Sequence, residues 1–103
     1  MLPNFIGAGS IIANVVKIGD LEVVLKGKIV IISQADPGYD WLFSHDIAGL
    51  ITQYGGANSH MAIRSAEIGL PAAIGVGEKL YEQLSVANRL ELDCLGQTIR
   101  VVA

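Results

Sequence analysis

A single cysteine, Cys94, stands in the 103 residues, and only two histidines, His45 and His60, accompany it. No internal disulfide can form, and no zinc spacing exists. Charge is also sparse. Seven basic residues face ten acidic ones, which gives a net charge of −3 and a pI near 5.1. Lys and Arg are not clustered, which argues against a nucleic-acid surface and against an anionic membrane surface. Although 51% of the chain is apolar, it has no run of about 18 apolar residues, the length a membrane span requires. The N-terminus lacks the basic-then-apolar pattern of a secretion signal, so a cytoplasmic location is expected. Internal repeats and low-complexity segments are missing as well. One domain, residues 1–103, accounts for the length, with a core that buries roughly 60–70% of the extended chain's surface.

What is present is a set of short apolar runs separated by turn signals. Residues 1–9, with Pro3, Gly7 and Gly9, read as a ragged lead-in and the remnant of a linker in a larger protein. Residues 10–18 are β-branched and predict a strand, closed by Gly19-Asp20. Residues 21–25 read as a short strand or a helical turn. Ile29-Val30-Ile31-Ile32-Ser33 is continuously apolar, as a strand covered on both faces would be, and is expected at the centre of the sheet. Asp36-Pro37-Gly38 then makes a turn, with Asp36 as its cap or as a group that positions a catalytic histidine. Trp41 and Phe43 read as packing residues, and His45 as a surface residue. Residues 78–84 predict an amphipathic helix that packs through Leu80, Tyr81 and Leu84. Residues 89–95 alternate apolar and charged positions and pair with residues 98–102 in a hairpin, with Cys94 in the core.

The stretch from Tyr54 to Gly75 carries the chemistry. Gly55-Gly56 follows the apolar run Gly49-Leu50-Ile51-Thr52-Gln53 and permits a turn with positive φ and close approach to the main chain. Asn58 and Ser59 are N-cap residues, and the following Ala, Met, Ile, Arg and Glu favour helix until Gly69 and Pro71 end it. His60 falls in the first helical turn. At 100° per residue it shares an outward side with Arg64 and Glu67, while Met61, Ala62, Ser65, Ala66, Ile68 and Gly69 spread over the packing side. The unpaired N–H groups and the dipole of a helix start favour anions and disfavour imidazolium. A neutral, nucleophilic imidazole able to take a phosphoryl group is one reading of His60, and a capping or packing histidine is the other. Gly75-Val76-Gly77 lacks the Lys-Ser/Thr of a P-loop and reads as a turn.

Gly55-Gly56-Ala57-Asn58-Ser59-His60-Met61-Ala62-Ile63, followed by Gly69-Leu70-Pro71-Ala72-Ala73-Ile74-Gly75, resembles the signature of the PEP-utilising enzyme mobile domain. That swivelling phosphohistidine domain occurs in phosphoenolpyruvate synthase, pyruvate phosphate dikinase, enzyme I of the phosphotransferase system and rifampicin phosphotransferase. Upstream, Ala35-Asp36-Pro37-Gly38-Tyr39-Asp40-Trp41-Leu42-Phe43 resembles the family's Asp-Pro plus aromatic segment. The resemblance implies an α/β fold of the swivelling β/β/α type, a mixed sheet packed with short helices. It also implies that His60 is phosphorylated, with Gly55, Gly56, Asn58, Ser59 and Arg64 binding or positioning the phosphoryl group. Two departures stand out. The family often has Thr where this chain has Asn58, and its usual Ala-Arg-Glu falls on Ser65-Ala66-Glu67, which leaves Ala at the Arg position and an Arg at 64. Helical side chains lean toward the N-terminus, so Arg64 either reaches back toward a group on His60 or is a solvated surface charge.

The implied mechanism is transfer to His60 from ATP at an ATP-grasp-like domain, or from phosphoenolpyruvate at a PEP/pyruvate-binding domain, followed by delivery elsewhere. The chain has no P-loop and no convincing set of metal-binding carboxylates. Nucleotide and Mg²⁺ are therefore expected on partner domains, and no cofactor or metal on this one. The domain is expected to be a carrier that does not turn over alone, as part of a multidomain enzyme or as a free-standing phosphocarrier. A non-catalytic docking module of the same fold is the alternative, with the Arg-to-Ala departure in its favour.

Overall fold

The computed structural model describes residues 2–19 and 24–102. Seven strands form one mixed sheet, β1 (Asn4–Ile6), β2 (Ser10–Lys17), β3 (Ile29–Ile32), β4 (Gly49–Thr52), β5 (Ala72–Ile74), β6 (Arg89–Asp93) and β7 (Thr98–Val101). Between them lie a 3-10 helix (Pro37–His45) and two α-helices, α1 (His60–Ile68) and α2 (Glu78–Ser85). The strand order is β1-β5-β4-β3-β2-β6-β7. Strands β2, β3, β4 and β5 run parallel to one another, and β1 on β5, β6 on β2 and β7 on β6 pair antiparallel.

The expected central strand is central. Ile29, Val30, Ile31 and Ile32 are all buried, because the sheet is covered on both faces and leaves no solvent side for an alternating pattern. On one face Val30, Ile32, Leu50 and Ile74 pack against Leu42 of the 3-10 helix and against Met61 and Ala62 of α1. On the other, Ile29, Ile31 and Ile51 pack against Tyr81 and Leu84 of α2 and Leu90 and Leu92 of β6. Strand β2 is long enough to serve both parts of the sheet. Ser10 to Asn14 pair with β6, and Val15 to Lys17 pair with β3, so the hairpin curls back over the central strands. The layers are thus hairpin, sheet and helix, as the resemblance implied.

Several expectations need correction. The lead-in is not ragged. Asn4, Phe5 and Ile6 form an edge strand on β5, in register with Ile74, Ala73 and Ala72, and Asn4 also donates its side-chain amide to the Ile74 carbonyl. Three residues between Pro3 and Gly7 carry little local pattern, and only the exposed edge of β5 makes them a strand. Trp41 is not a packing residue; it is 47% exposed. A 3-10 helix has three residues per turn, so Trp41 and Ser44 share the outer row, Tyr39 and Leu42 the inner row, and Asp40 and Phe43 the row between. Leu42 is the buried member, and Phe43 packs at the margin of the core. On α1 only Met61, Ala62 and Ser65 are buried. Ile68 continues that line but lies 48% exposed in the last turn, and Ala66 is exposed too. The strand or turn expected over residues 21–25 lies mostly outside the described residues, although Leu25 is buried.

The hairpin of β6 and β7 and the helix at α2 stand where the pattern put them. Cys94 is core, 3% exposed, with its thiol directed at the Ala72 carbonyl and pushed up in pKa by burial. Among the described residues no helix is long and apolar enough to cross a membrane.

Candidate functional site

The site is assembled by the end of β4. From Thr52 the chain leaves the sheet and turns through Gly55, whose φ of +123° suits glycine. Ser59 closes the turn. Its N–H and its hydroxyl both donate to the Gly56 carbonyl, at 3.0 and 2.7 Å, and its Oγ accepts from the Ala62 N–H at 3.4 Å. Ser59 is therefore the N-cap, and His60 is the first residue of α1. Gly69 ends the helix in the left-handed region, with its N–H on the Ala66 carbonyl and that of Leu70 on the Ser65 carbonyl.

Below the turn, Thr52 is fully buried and ties two loops together. Its hydroxyl donates to the Tyr54 carbonyl at 2.8 Å and accepts from the Gly75 N–H at 3.0 Å. The Val76 and Gly77 N–H groups bond the Thr52 and Gln53 carbonyls. The glycines after β5 thus make a turn that supports the histidine loop. This explains why Gly75 belongs to the same signature as His60.

His60 is 34% exposed, and its Nε2 lies 2.7 Å from Oδ1 of Asp40. The same oxygen accepts from Nε of Arg64 at 3.2 Å. Arg64 lies over the Phe43 ring, 5.5 Å from its centroid, with Glu67 3.9 Å from its other end. The His60 bond, and after it the Arg64 guanidinium, hold the Asp40 carboxyl below the usual aspartate value against the opposing effect of desolvation.

The structure brings His60 and Arg64 together, on the side of α1 that the helical spacing assigned them. Gly56 and Ser59 meet in the turn. A side chain on Gly55 would run into Ala35, whereas one on Gly56 would stand in open space. Asn58 is exposed and makes no side-chain hydrogen bond among the described residues. The helix start is less open to an anion than expected. The Met61 N–H is directed at the Ala35 carbonyl and that of Ala62 at Ser59, so Arg64 is the strong donor within reach of the ring's surroundings.

Asp36 caps the 3-10 helix through the Gly38 N–H at 2.8 Å and does not touch His60. Asp40 was not singled out by sequence. Its one signal was a carboxylate one turn beyond Pro37-Gly38, and nothing local pairs it with a histidine twenty residues on. Thr52 was likewise hidden at the end of an apolar run. Among the described residues no group of three His, Cys, Asp or Glu side chains could hold a metal ion.

This three-layer arrangement is that of known solved domains. The solution structure of a UPF0107 protein superposes over the full chain and 98% of its own length with a TM-score of 0.70, at 13% identity, a likeness of fold alone. The solution structure of Enzyme I matches 80% of this chain and 32% of its own, with a TM-score of 0.59 and 27% identity. The fold is thus that of a domain also found in Enzyme I.

The family model of the PEP-utilising enzyme mobile domain matches residues 24–96, and the chain belongs to that family. Rifampicin phosphotransferase of Bacillus cereus is 44% identical over 75 residues, which is 73% of this chain and 7% of that protein. Rifampicin phosphotransferase of Bacillus subtilis is 40% identical over 82 residues, 80% of this chain and 8% of that one. Phosphoenolpyruvate synthase of Deinococcus radiodurans is 33% identical over 78 residues, 75% of this chain and 10% of that one. The chain spans a tenth or less of the length of these relatives.

Proposed function

We propose that this chain is the phosphoryl-carrier domain of a cytoplasmic phosphotransferase of the phosphoenolpyruvate synthase or pyruvate phosphate dikinase type, with His60 transiently phosphorylated. The observation that carries the reading is the placement of His60. It is the first residue of α1, directly after the Gly55-Gly56 turn, a third exposed, with a guanidinium on its own side of the helix. A ring nitrogen lone pair attacks the donor's phosphorus, the P–O bond to the leaving group breaks with its electrons on oxygen, and the ring proton passes to solvent. Transfer onward reverses these steps at a second site. Arg64 offers a charge-assisted bond to the phosphoryl oxygens, Gly56 leaves room above the turn, Gly55 and Ser59 shape the loop, and the exposed Asn58 amide offers a further donor to the group. ATP, Mg²⁺ and phosphoenolpyruvate bind on an ATP-grasp-like domain and a PEP/pyruvate-binding domain of the same or a partner chain, and this domain swings between them.

The test is intact mass and ³¹P NMR at alkaline pH after mixing the chain with a matched nucleotide-binding domain and ATP, or with an enzyme I-type donor and phosphoenolpyruvate, beside His60→Ala. An acid-labile phosphoramidate in the unaltered chain and not in His60→Ala supports the carrier role, and the donor that labels it assigns the branch. If neither donor labels a chain that is folded, while both label a domain with Arg at the usual position, the docking-module role replaces it.

A further inference from the structure

The carboxylate beside His60 bears on which ring nitrogen can react. An ionised carboxylate only accepts hydrogen bonds, so the nitrogen 2.7 Å from Asp40 Oδ1, Nε2, carries a proton. A protonated ring nitrogen has no lone pair for phosphorus. The negative charge at that distance also repels a phosphate-bearing donor. In the neutral ring the lone pair is then on Nδ1. Asp40 is not loosely placed. It sits in the 3-10 helix that starts at the Asp36 cap and packs through the buried Leu42, and Arg64 grips the same oxygen from α1 while lying over Phe43.

We propose that Asp40 is a positioning residue that fixes His60 in its Nε2–H tautomer and withholds Nε2 from phosphoryl donors until the carboxylate leaves the ring, with Arg64 as the group that holds it. The proposal rests on the reading of His60 as the phosphoryl acceptor. Its first consequence, the tautomer, is observable without any phosphoryl transfer.

The experiment uses the full chain carrying His45→Gln, so that one imidazole remains, labelled with ¹⁵N-histidine. Long-range ¹H–¹⁵N correlations, recorded about two pH units above the ordinary histidine value, report the tautomer ratio. Asp40→Ala is expected to lower the Nε2–H to Nδ1–H ratio about three- to tenfold, the range of one net hydrogen bond. Asp40→Asn is expected to keep it, because Arg64 Nε holds the amide carbonyl toward the ring. The same three proteins are then treated with phosphoramidate, a small donor that needs no partner domain. When Nε2 attacks, the N–P bond forms, the donor's P–N bond breaks and ammonia leaves with that electron pair, while the proton on Nδ1 passes to water. The proportion of Nε2-phosphoryl product, identified by ³¹P NMR, is expected to rise by a similar factor in Asp40→Ala alone. An unchanged tautomer ratio in Asp40→Ala overturns the proposal whatever the yield of phosphohistidine. An unchanged product proportion overturns the withholding of Nε2. Failure of every protein donor to label His60, with the tautomer shift observed, would instead count against the carrier role and leave the positioning role of Asp40 standing.

Discussion

Gly75 passes so close beneath Gly55 that a Cβ on Gly75 would overlap the Gly55 carbonyl oxygen. The two glycines lie at the ends of adjacent parallel strands, and their contact fixes the height of the loop that leads to His60. Gly75 also has a φ of +76°. Gly75→Ala therefore meets both backbone strain and a backbone clash and is expected to destabilise the fold by about 3 kcal/mol. Gly56→Ala, with open space at its Cβ, is expected to change stability by no more than about 0.5 kcal/mol. Urea midpoints of the two variants make the comparison, and equal midpoints would remove the account of this contact.

Thr52 serves the same pair of loops through its hydroxyl. Thr52→Val keeps the shape and deletes the bonds to the Tyr54 carbonyl and the Gly75 N–H. The Gly75 N–H retains the Thr52 carbonyl, so the expected loss is about 1–2 kcal/mol rather than that of a fully orphaned donor. Hydrogen exchange at Gly75 is expected to quicken relative to the centre of β3, a local loosening that thermal melting alone would not register.

Arg64 lies over Phe43 and against Asp40. Arg64→Ala is expected to cost about 0.5–1 kcal/mol through the lost ring contact. If Arg64 also holds the phosphoryl group, the phosphorylated form is shorter-lived in the variant by about threefold or more, the range of one charge-assisted bond in water. Time-resolved intact mass after removal of the donor measures this, and an unchanged lifetime removes Arg64 from phosphoryl binding and leaves it its contacts with Phe43 and Asp40.

The Asp40 carboxyl has a pKa lowered in the fold from the ordinary 3.8. A depressed carboxylate stabilises the folded state above its unfolded value, and that contribution disappears as pH falls through the lower folded value. Comparison of the unaltered chain with Asp40→Asn by urea denaturation is expected to give a stability difference that shrinks as the pH falls below about 4. A difference that grows as the pH falls below 4 would contradict the direction of the shift. Because Asp40 is half-exposed, the effect is small beside that of the buried Thr52.

Much of the His60 loop was legible along the chain because its determinants are local. Ser59 caps, Gly69 stops, and the turn at Gly55 needs a residue that tolerates positive φ; each acts within about four residues of where it stands. The strand at β3 was equally plain, since a continuous apolar run has few other places to go. Partners distant in sequence were not legible. The edge strand of Asn4, Phe5 and Ile6 depends on β5, almost seventy residues away. The outward turn of Trp41 depends on a three-residue helical period that Asp36-Pro37-Gly38 does not announce.

Sequence by itself determined that His60 begins a helix behind a glycine turn, and that Arg64 shares its side, because helical spacing and capping are properties of neighbouring residues. Only the tertiary structure decided what His60 faces. Asp40 reaches its ring because the 3-10 helix and α1 cover the same face of the sheet, where Leu42, Met61 and Ala62 are driven together by burial. A hydrogen bond between side chains twenty residues apart is set by that packing, and no local pattern encodes it.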